Sequence, residues 1–125
     1  FEETRSPVGV TGFCMGGALA LFAACQNSDK VGACVDFYGI HPNVEYNWDN
    51  LVAPVLGIWA EHDDMVNPQL NGFAQSLSDR QHNFHFITYP NTSHGFFNDT
   101  NTSGHDKNAA TDAWRLTLNW FGDHL

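Results

Sequence analysis

The chain has 125 residues, 42% of them hydrophobic and 15% charged, which predicts one globular domain with a modest core. The chain has five Lys and Arg residues and 14 Asp and Glu residues. The resulting formal net charge of −9 disfavours nucleic acids and anionic membrane surfaces as partners. No apolar run approaches the roughly 20 residues that span a bilayer, and the first residues do not resemble a signal peptide.

The first predicted elements are a buried strand over 7–12, a tight turn and a helix over 15–26. The turn has the spacing Gly12-x-Cys14-x-Gly16, the nucleophile-elbow pattern with cysteine in place of serine. Glycines on both sides of the thiol leave room for the neighbouring backbone, and the helix N-terminus favours a thiolate and a developing oxyanion. The pattern indicates that Cys14 is a nucleophile, although glycine-rich turns also occur for packing alone.

The rest of the chain alternates between apolar runs of strand type and amphipathic runs of helix type. In chain order we predict strands over 31–38 and 55–60, a helix over 68–79, a strand over 84–89 and a helix over 107–124, with polar loops over 39–53 and 90–105. Asn67 and Asp106 are the predicted N-caps of the last two helices. This alternation predicts an α/β fold with about four mostly parallel strands flanked by helices.

The three cysteines are odd in number and have neither CxxC nor zinc-type spacing. We therefore expect free thiols in a reducing cytosol, and hence a cytoplasmic protein. Cys25 and Cys34 lie in apolar runs and are predicted to be small core residues. Because no HxxxH or HxH pattern and no dinucleotide or Walker spacing occurs, the sequence predicts neither a metal site nor a cofactor.

The candidate catalytic residues follow the carboxyl ends of three predicted strands, which meet at one edge of a parallel sheet. Cys14 follows the first strand, Asp63 and Asp64 follow the third, and His94 follows the fourth. Nucleophile, acid, histidine is the chain order of the α/β-hydrolases. A thiol attacks, an imidazole accepts its proton and a carboxylate orients the imidazole, and either aspartate could be that carboxylate. The other histidines are expected to be exposed or to make structural hydrogen bonds.

Three segments together resemble the C-terminal half of a dienelactone hydrolase. They are GFCMGG over 12–17, AEHDDMV over 60–66 and SHGFFN over 93–98, and the closing helix is similar as well. The resemblance extends over essentially the whole chain in the correct order. It implies a partial α/β-hydrolase fold, with residues 1–125 forming the single C-terminal portion of a longer protein.

The resemblance also implies a role for each candidate residue. Cys14 becomes the nucleophile, His94 the base and Asp63, rather than Asp64, the orienting acid of a catalytic triad. The backbone N–H of Met15 becomes one oxyanion donor. By analogy, the reaction is hydrolysis of a small ester or enol-lactone through an acyl-thioenzyme, as in a carboxymethylenebutenolidase.

Three further residues are candidates for contact with the substrate. Tyr38 ends the second predicted strand, and Phe96 and Asn98 follow His94. Aromatic side chains at such places are more often part of the core. Asn98 stands where dienelactone hydrolases resemble one another in having an arginine that meets a substrate carboxylate. With a net charge of −9, a neutral ester is therefore as plausible as an anionic lactone.

The resemblance implies that an N-terminal half, with more strands and a second oxyanion donor, precedes this sequence. The start at Phe1, without an initiator Met and just before a buried strand, also indicates a fragment. Without those strands the first strand is a hydrophobic sheet edge, and we expect it to favour a homodimer. The alternative to a hydrolase is a catalytically incomplete fragment or binding domain that retains the fold.

Overall fold

The computed structural model describes residues 7–125, which form one four-stranded parallel sheet flanked by helices. Its elements are β1 (Val8–Phe13), α1 (Met15–Gln26), β2 (Val31–Phe37), a 3-10 turn (Trp48–Asn50), β3 (Val55–His62), α2 (Asn67–Asp79), β4 (Phe84–Ser93) and α3 (Lys107–His124). The strand order β1-β2-β3-β4 and the parallel pairing confirm the predicted α/β class. No helix in the described part of the chain is long and apolar enough to cross a membrane. Phe1, on which the expectation of a fragment rests, lies outside the described residues.

The core of the sheet is formed by β2 and β3, whose sequences are almost uninterrupted apolar runs. Val35, Phe37, Val55 and Ile58 are completely buried, as expected for central parallel strands covered on both faces. The strand β1 lies at one edge and alternates between half-buried and exposed residues. Such an edge is what the predicted dimer needs, and the dimer itself stays a prediction.

The last strand is longer than the sequence predicts. The pattern places its end at Tyr89, before Pro90, but β4 continues to Ser93. Proline has no N–H to donate to the ladder and is tolerated because β4 is an edge strand. The pairing with β3 also shifts register in this region, and Asn91 takes a φ of 59° there.

The helix α1 is less buried than its sequence predicts. Its residues are apolar nearly all round, which indicates a deeply buried helix. In the structure, Leu21 and Ala24 are fully buried against the sheet, whereas Met15 is 50% and Leu19 52% exposed. The described residues cover only one side of α1, so its outer face remains apolar and open.

The two predicted helix caps have different outcomes. Asp106 accepts a hydrogen bond at 3.0 Å from the backbone N–H of Ala109, which confirms it as the N-cap of α3. The cap predicted at Asn67 is wrong, because Asn67 is the first residue of α2 and donates its side-chain amide to the carbonyls of Ala60 and Glu61. The carboxylate of Asp63 instead accepts from the backbone N–H groups of Met65 and Val66, just before α2 begins.

Candidate active site

The turn between β1 and α1 holds Cys14 in a strained backbone conformation. Its φ is 57° and its ψ is −126°, in a region that residues with a side chain seldom occupy. The backbone N–H of Cys14 donates to the carbonyl of Phe37 at 3.0 Å, and its carbonyl accepts from the N–H of Gly17 at 3.0 Å. The turn is therefore fixed on one side by β2 and on the other by the first turn of α1.

Glycines make this turn possible by allowing close backbone contact. A Cβ at Gly12 would lie 2.1 Å from the carbonyl oxygen of Gly16, and a Cβ at Gly39 would lie 2.1 Å from that of Cys14. Gly16 differs, since a Cβ there would meet no atom within 4 Å. The elbow thus requires glycine at position 12 for space, whereas position 16 does not require it.

This contrast yields a matched pair of variants. We expect Gly12→Ala to destabilise the fold by about 2–3 kcal/mol, because the added methyl group overlaps the backbone at Gly16. Gly16→Ala makes the same chemical change at an exposed helical position and should be neutral or stabilising by up to about 1 kcal/mol. Urea denaturation of both variants measures the difference, and equal stability would contradict this view of the turn.

An acid and a histidine lie together at the same edge of the sheet. His94 Nδ1 is 2.6 Å from Asp63 Oδ2, and the Asp63 side chain is almost completely buried. The other oxygen, Asp63 Oδ1, accepts from the backbone N–H groups of Met65 at 3.2 Å and Val66 at 3.1 Å. Asp64 is exposed. Of the two aspartates considered from the sequence, it is Asp63 that contacts the histidine ring.

Cys14 and His94 line one cavity of about 480 Å³. Within the described residues, the His94 ring forms a hydrogen bond with Asp63 and does not form one with Cys14 Sγ. Catalytic hydrogen bonds are often long in the absence of substrate and shorten when it binds. A missing bond between Cys14 and His94 is therefore compatible with a shared role, and the shared cavity is the observation that relates them. The thiol and the imidazole therefore face the same space, and the buried Asp63 contacts the imidazole.

The cysteine is not activated by its surroundings alone. Burial, and secondarily the Asp63 carboxylate, raises the pKa of Cys14 above its ordinary value of 9.0. This direction is opposite to the one expected from the helix N-terminus. The thiol is protonated near neutral pH and needs a proton acceptor before it can attack.

The three predicted substrate-contact residues lie in different places. Tyr38 lines the cavity with its ring centroid 5.0 Å from that of His94, and burial raises the pKa of its hydroxyl to about 12. Phe96 is completely buried, packed at 5.4 Å against Tyr38 and at 5.5 Å against Tyr89, and belongs to the core. Asn98 lies outside the cavity, where its Oδ1 accepts hydrogen bonds from the backbone and hydroxyl of Thr100. The structure therefore places neither Phe96 nor Asn98 in the cavity wall, since one fills the core and the other closes its own turn.

The cavity wall also includes residues to which the sequence analysis gave no role at the site. They are Ala18, Gly39, Ile40, His41, Pro42, Met65, Val66 and Gln69. His41 was expected to be exposed or structural, and its Nδ1 does accept from the backbone N–H of Asn43 at 3.1 Å. His41 follows soon after β2 ends, at the same sheet edge as the elbow, and this position in the sequence could have indicated that it lines the site.

The remaining cysteines are structural. Cys25 and Cys34 are free and completely buried, which confirms them as core residues. Among the described residues, no group of three or more His, Cys, Asp or Glu could hold a metal ion.

Comparison with known proteins places this arrangement among related sequences. The sequence profile described as "Dienelactone hydrolase family" matches residues 1–125. The chain is 33% identical over 119 residues to "Protein usf" of Aquifex pyrophilus, a match that covers 94% of this chain and 52% of that protein. It is 27% identical over 133 residues to the carboxymethylenebutenolidase of Rhodococcus opacus, covering 98% of this chain and 52% of that enzyme.

A solved structure agrees with these sequence matches. The dienelactone hydrolase from Anabaena variabilis ATCC 29413 superposes with a TM-score of 0.70 at 26% identity, over 94% of this chain and 50% of that one. The chain therefore spans about half the length of the relatives it matches.

Proposed function

The chain belongs to the dienelactone hydrolase family, and we propose that it supplies the reacting residues of a hydrolase for small neutral esters or enol-lactones. Membership confirms the resemblance seen in the three sequence segments and the predicted α/β-hydrolase fold. The observation that carries the proposal is the 2.6 Å contact between buried Asp63 and His94, whose ring lines the same cavity as the strained turn at Cys14. The free thiols of the chain fit a cytoplasmic location.

In the proposed reaction, Cys14 attacks the carbonyl carbon of the bound ester while its S–H proton passes to His94. Asp63 holds the ring in the tautomer that can accept this proton and stabilises the imidazolium that forms. The backbone N–H of Met15, the first residue of α1, has no intrahelical acceptor and can donate to the oxyanion. Collapse of the tetrahedral intermediate expels the alkoxide, which takes the proton from His94. Water then attacks the acyl-thioenzyme and gives a proton to His94. The second tetrahedral intermediate breaks its C–S bond, the Cys14 thiolate takes the proton back from His94, and the acid is released.

The cavity favours an uncharged substrate. Its described lining contains no Lys or Arg that could pair with a substrate carboxylate, and Asn98 lies elsewhere. With a net charge of −9 on the chain, an anion would also be repelled at long range. A neutral ester is the substrate class that these residues suit.

The test is alkylation by iodoacetamide during hydrolysis of p-nitrophenyl acetate. We expect one thiol to be labelled in the folded chain, at Cys14, because Cys25 and Cys34 are completely buried. Hydrolysis should fall in proportion to labelling, and mass spectrometry of an acid-quenched reaction should show an acetyl group on Cys14. Cys14→Ala is the control that takes no label.

Two results would count against this proposal. If fully labelled protein hydrolyses the ester as fast as unlabelled protein, Cys14 is not the nucleophile. If the folded chain neither hydrolyses the ester nor becomes acylated, the alternative of a catalytically incomplete fragment or binding domain is favoured instead.

A further inference from the structure

An aromatic groove lies beside the candidate active-site cavity. We use "aromatic groove" for the open depression of about 320 Å³ whose wall is formed by Tyr46, Trp48 and Phe73. It shares four lining residues with the cavity that holds Cys14. These shared residues are Ile40, His41, Pro42 and Gln69. The two depressions are therefore neighbours with a common wall.

The three rings of the groove form a stack, in which Trp48 lies between Tyr46 and Phe73. Tyr46 and Trp48 stack with centroids 4.8 Å apart and planes 20° from parallel. Trp48 and Phe73 stack with centroids 5.1 Å apart and planes 22° from parallel. Phe73 is buried in the core, whereas Tyr46 and Trp48 are only half-buried. The stack is thus anchored at one end and accessible at the other.

Hydrogen bonds hold the common wall in place. Gln69 Nε2, on α2, donates to the carbonyls of Ile40 at 3.2 Å and Met65 at 2.9 Å. The backbone N–H of His41 donates to the hydroxyl of Tyr46 at 3.4 Å. These bonds connect α2, the loop after β2 and the ring stack. The groove and the cavity are consequently fixed relative to one another.

The chemistry of the groove suits a flat, uncharged ligand. Among the described residues that line it, none is Asp, Glu, Lys or Arg. Aromatic faces bind other rings through offset stacking and burial of apolar area. We propose that the aromatic groove is a subsite for an aryl group of the substrate, whose ester carbonyl lies at Cys14 in the adjoining cavity. This inference rests on the proposed function and narrows its substrate class to aryl esters.

The test uses Gly72, a groove residue on α2 at which a Cβ would meet no atom within 4 Å. Gly72→Leu places a side chain at the groove without a clash at its Cβ. Gly122→Leu is the matched control, because Gly122 is also helical and open but lines neither depression. We expect Gly72→Leu to lower kcat/KM for 2-naphthyl acetate about tenfold relative to ethyl acetate, mainly through KM. Gly122→Leu should leave that ratio unchanged.

A second variant and a binding measurement make the outcomes distinguishable. Tyr46→Leu removes the terminal ring at the accessible end of the stack and should also lower the ratio. Binding of 2-acetylnaphthalene, a ketone that cannot be hydrolysed, should weaken about tenfold in Gly72→Leu and remain unchanged in Gly122→Leu. Binding that responds in this way without any ester hydrolysis would support the groove and oppose the proposed function. Ester hydrolysis whose ratio is the same in all variants would overturn the groove alone, and so would absence of ketone binding to the folded wild-type chain.

Discussion

Replacing Asp63 by asparagine should lower kcat/KM for ester hydrolysis by roughly 10³–10⁴, the scale seen when a triad aspartate loses its charge. An asparagine amide can present N–H to Nδ1 of His94, which selects the tautomer that cannot accept the thiol proton. It also removes the negative charge that stabilises the imidazolium. The amide would retain one oxygen that accepts from the backbone of Met65 and Val66, so the loop should keep its shape. The measurement is steady-state hydrolysis of p-nitrophenyl acetate.

Asp64→Asn is the control for this experiment. Asp64 is the next residue in the same loop, is exposed, and undergoes the same change of charge. We expect its kcat/KM to stay within about twofold of the wild-type value, since exposed charges interact weakly across water. If the two variants lose activity equally, a general electrostatic effect explains the loss, and Asp63 does not have the proposed role.

The residues that the sequence predicted best are those fixed by short-range backbone geometry. The elbow glycine at position 12 and the thiol at position 14 belong to a turn in which close approach of backbone atoms dictates residue type. The parallel order of the strands follows from their alternation with helices. Because that order brings the carboxyl ends of β1, β3 and β4 to one edge, the meeting of the elbow with Asp63 and His94 was foreseeable.

What the sequence could not predict depends on long-range packing. Phe96 and His41 both lie in loops at the active edge, yet Phe96 is completely buried in the core and His41 lines the cavity. Local pattern does not determine which loop side chain turns inwards. The same holds for Leu19, which is apolar and yet 52% exposed, since burial of a helix face depends on what packs against it.

A buried carboxyl group in β2 was also missed. Asp36 is completely buried in an apolar strand, where its Oδ1 accepts from the backbone N–H of Gly39 at 3.0 Å and its Oδ2 has no partner among the described residues. Burial raises the pKa of Asp36 well above its ordinary value of 3.8, more strongly than the Gly39 hydrogen bond lowers it. Cys34 and Tyr46 are the titratable groups nearby that interact with the charge of Asp36, and neither of them is a cation that could stabilise it. Burial without a cationic partner therefore favours the protonated form of Asp36 in the folded chain.

Asp36→Asn should accordingly change the pH dependence of folding. Above pH 3.8 the unfolded chain releases the Asp36 proton while the folded chain keeps it, so wild-type stability falls as pH rises through this window towards the raised pKa. The loss from this one group approaches about 1.4 kcal/mol per pH unit. Asparagine resembles the protonated acid in shape and does not titrate, so the variant should gain on the wild type as pH rises from about 4 towards the raised pKa of Asp36. The free energy of unfolding, measured in urea at each pH, gives this difference.

Asp29→Asn, at an exposed carboxylate, is the control, and its plot of unfolding free energy against pH should be parallel to that of the wild type. If the curve of Asp36→Asn is also parallel, Asp36 is ionised in the folded chain and its buried charge has a compensating partner.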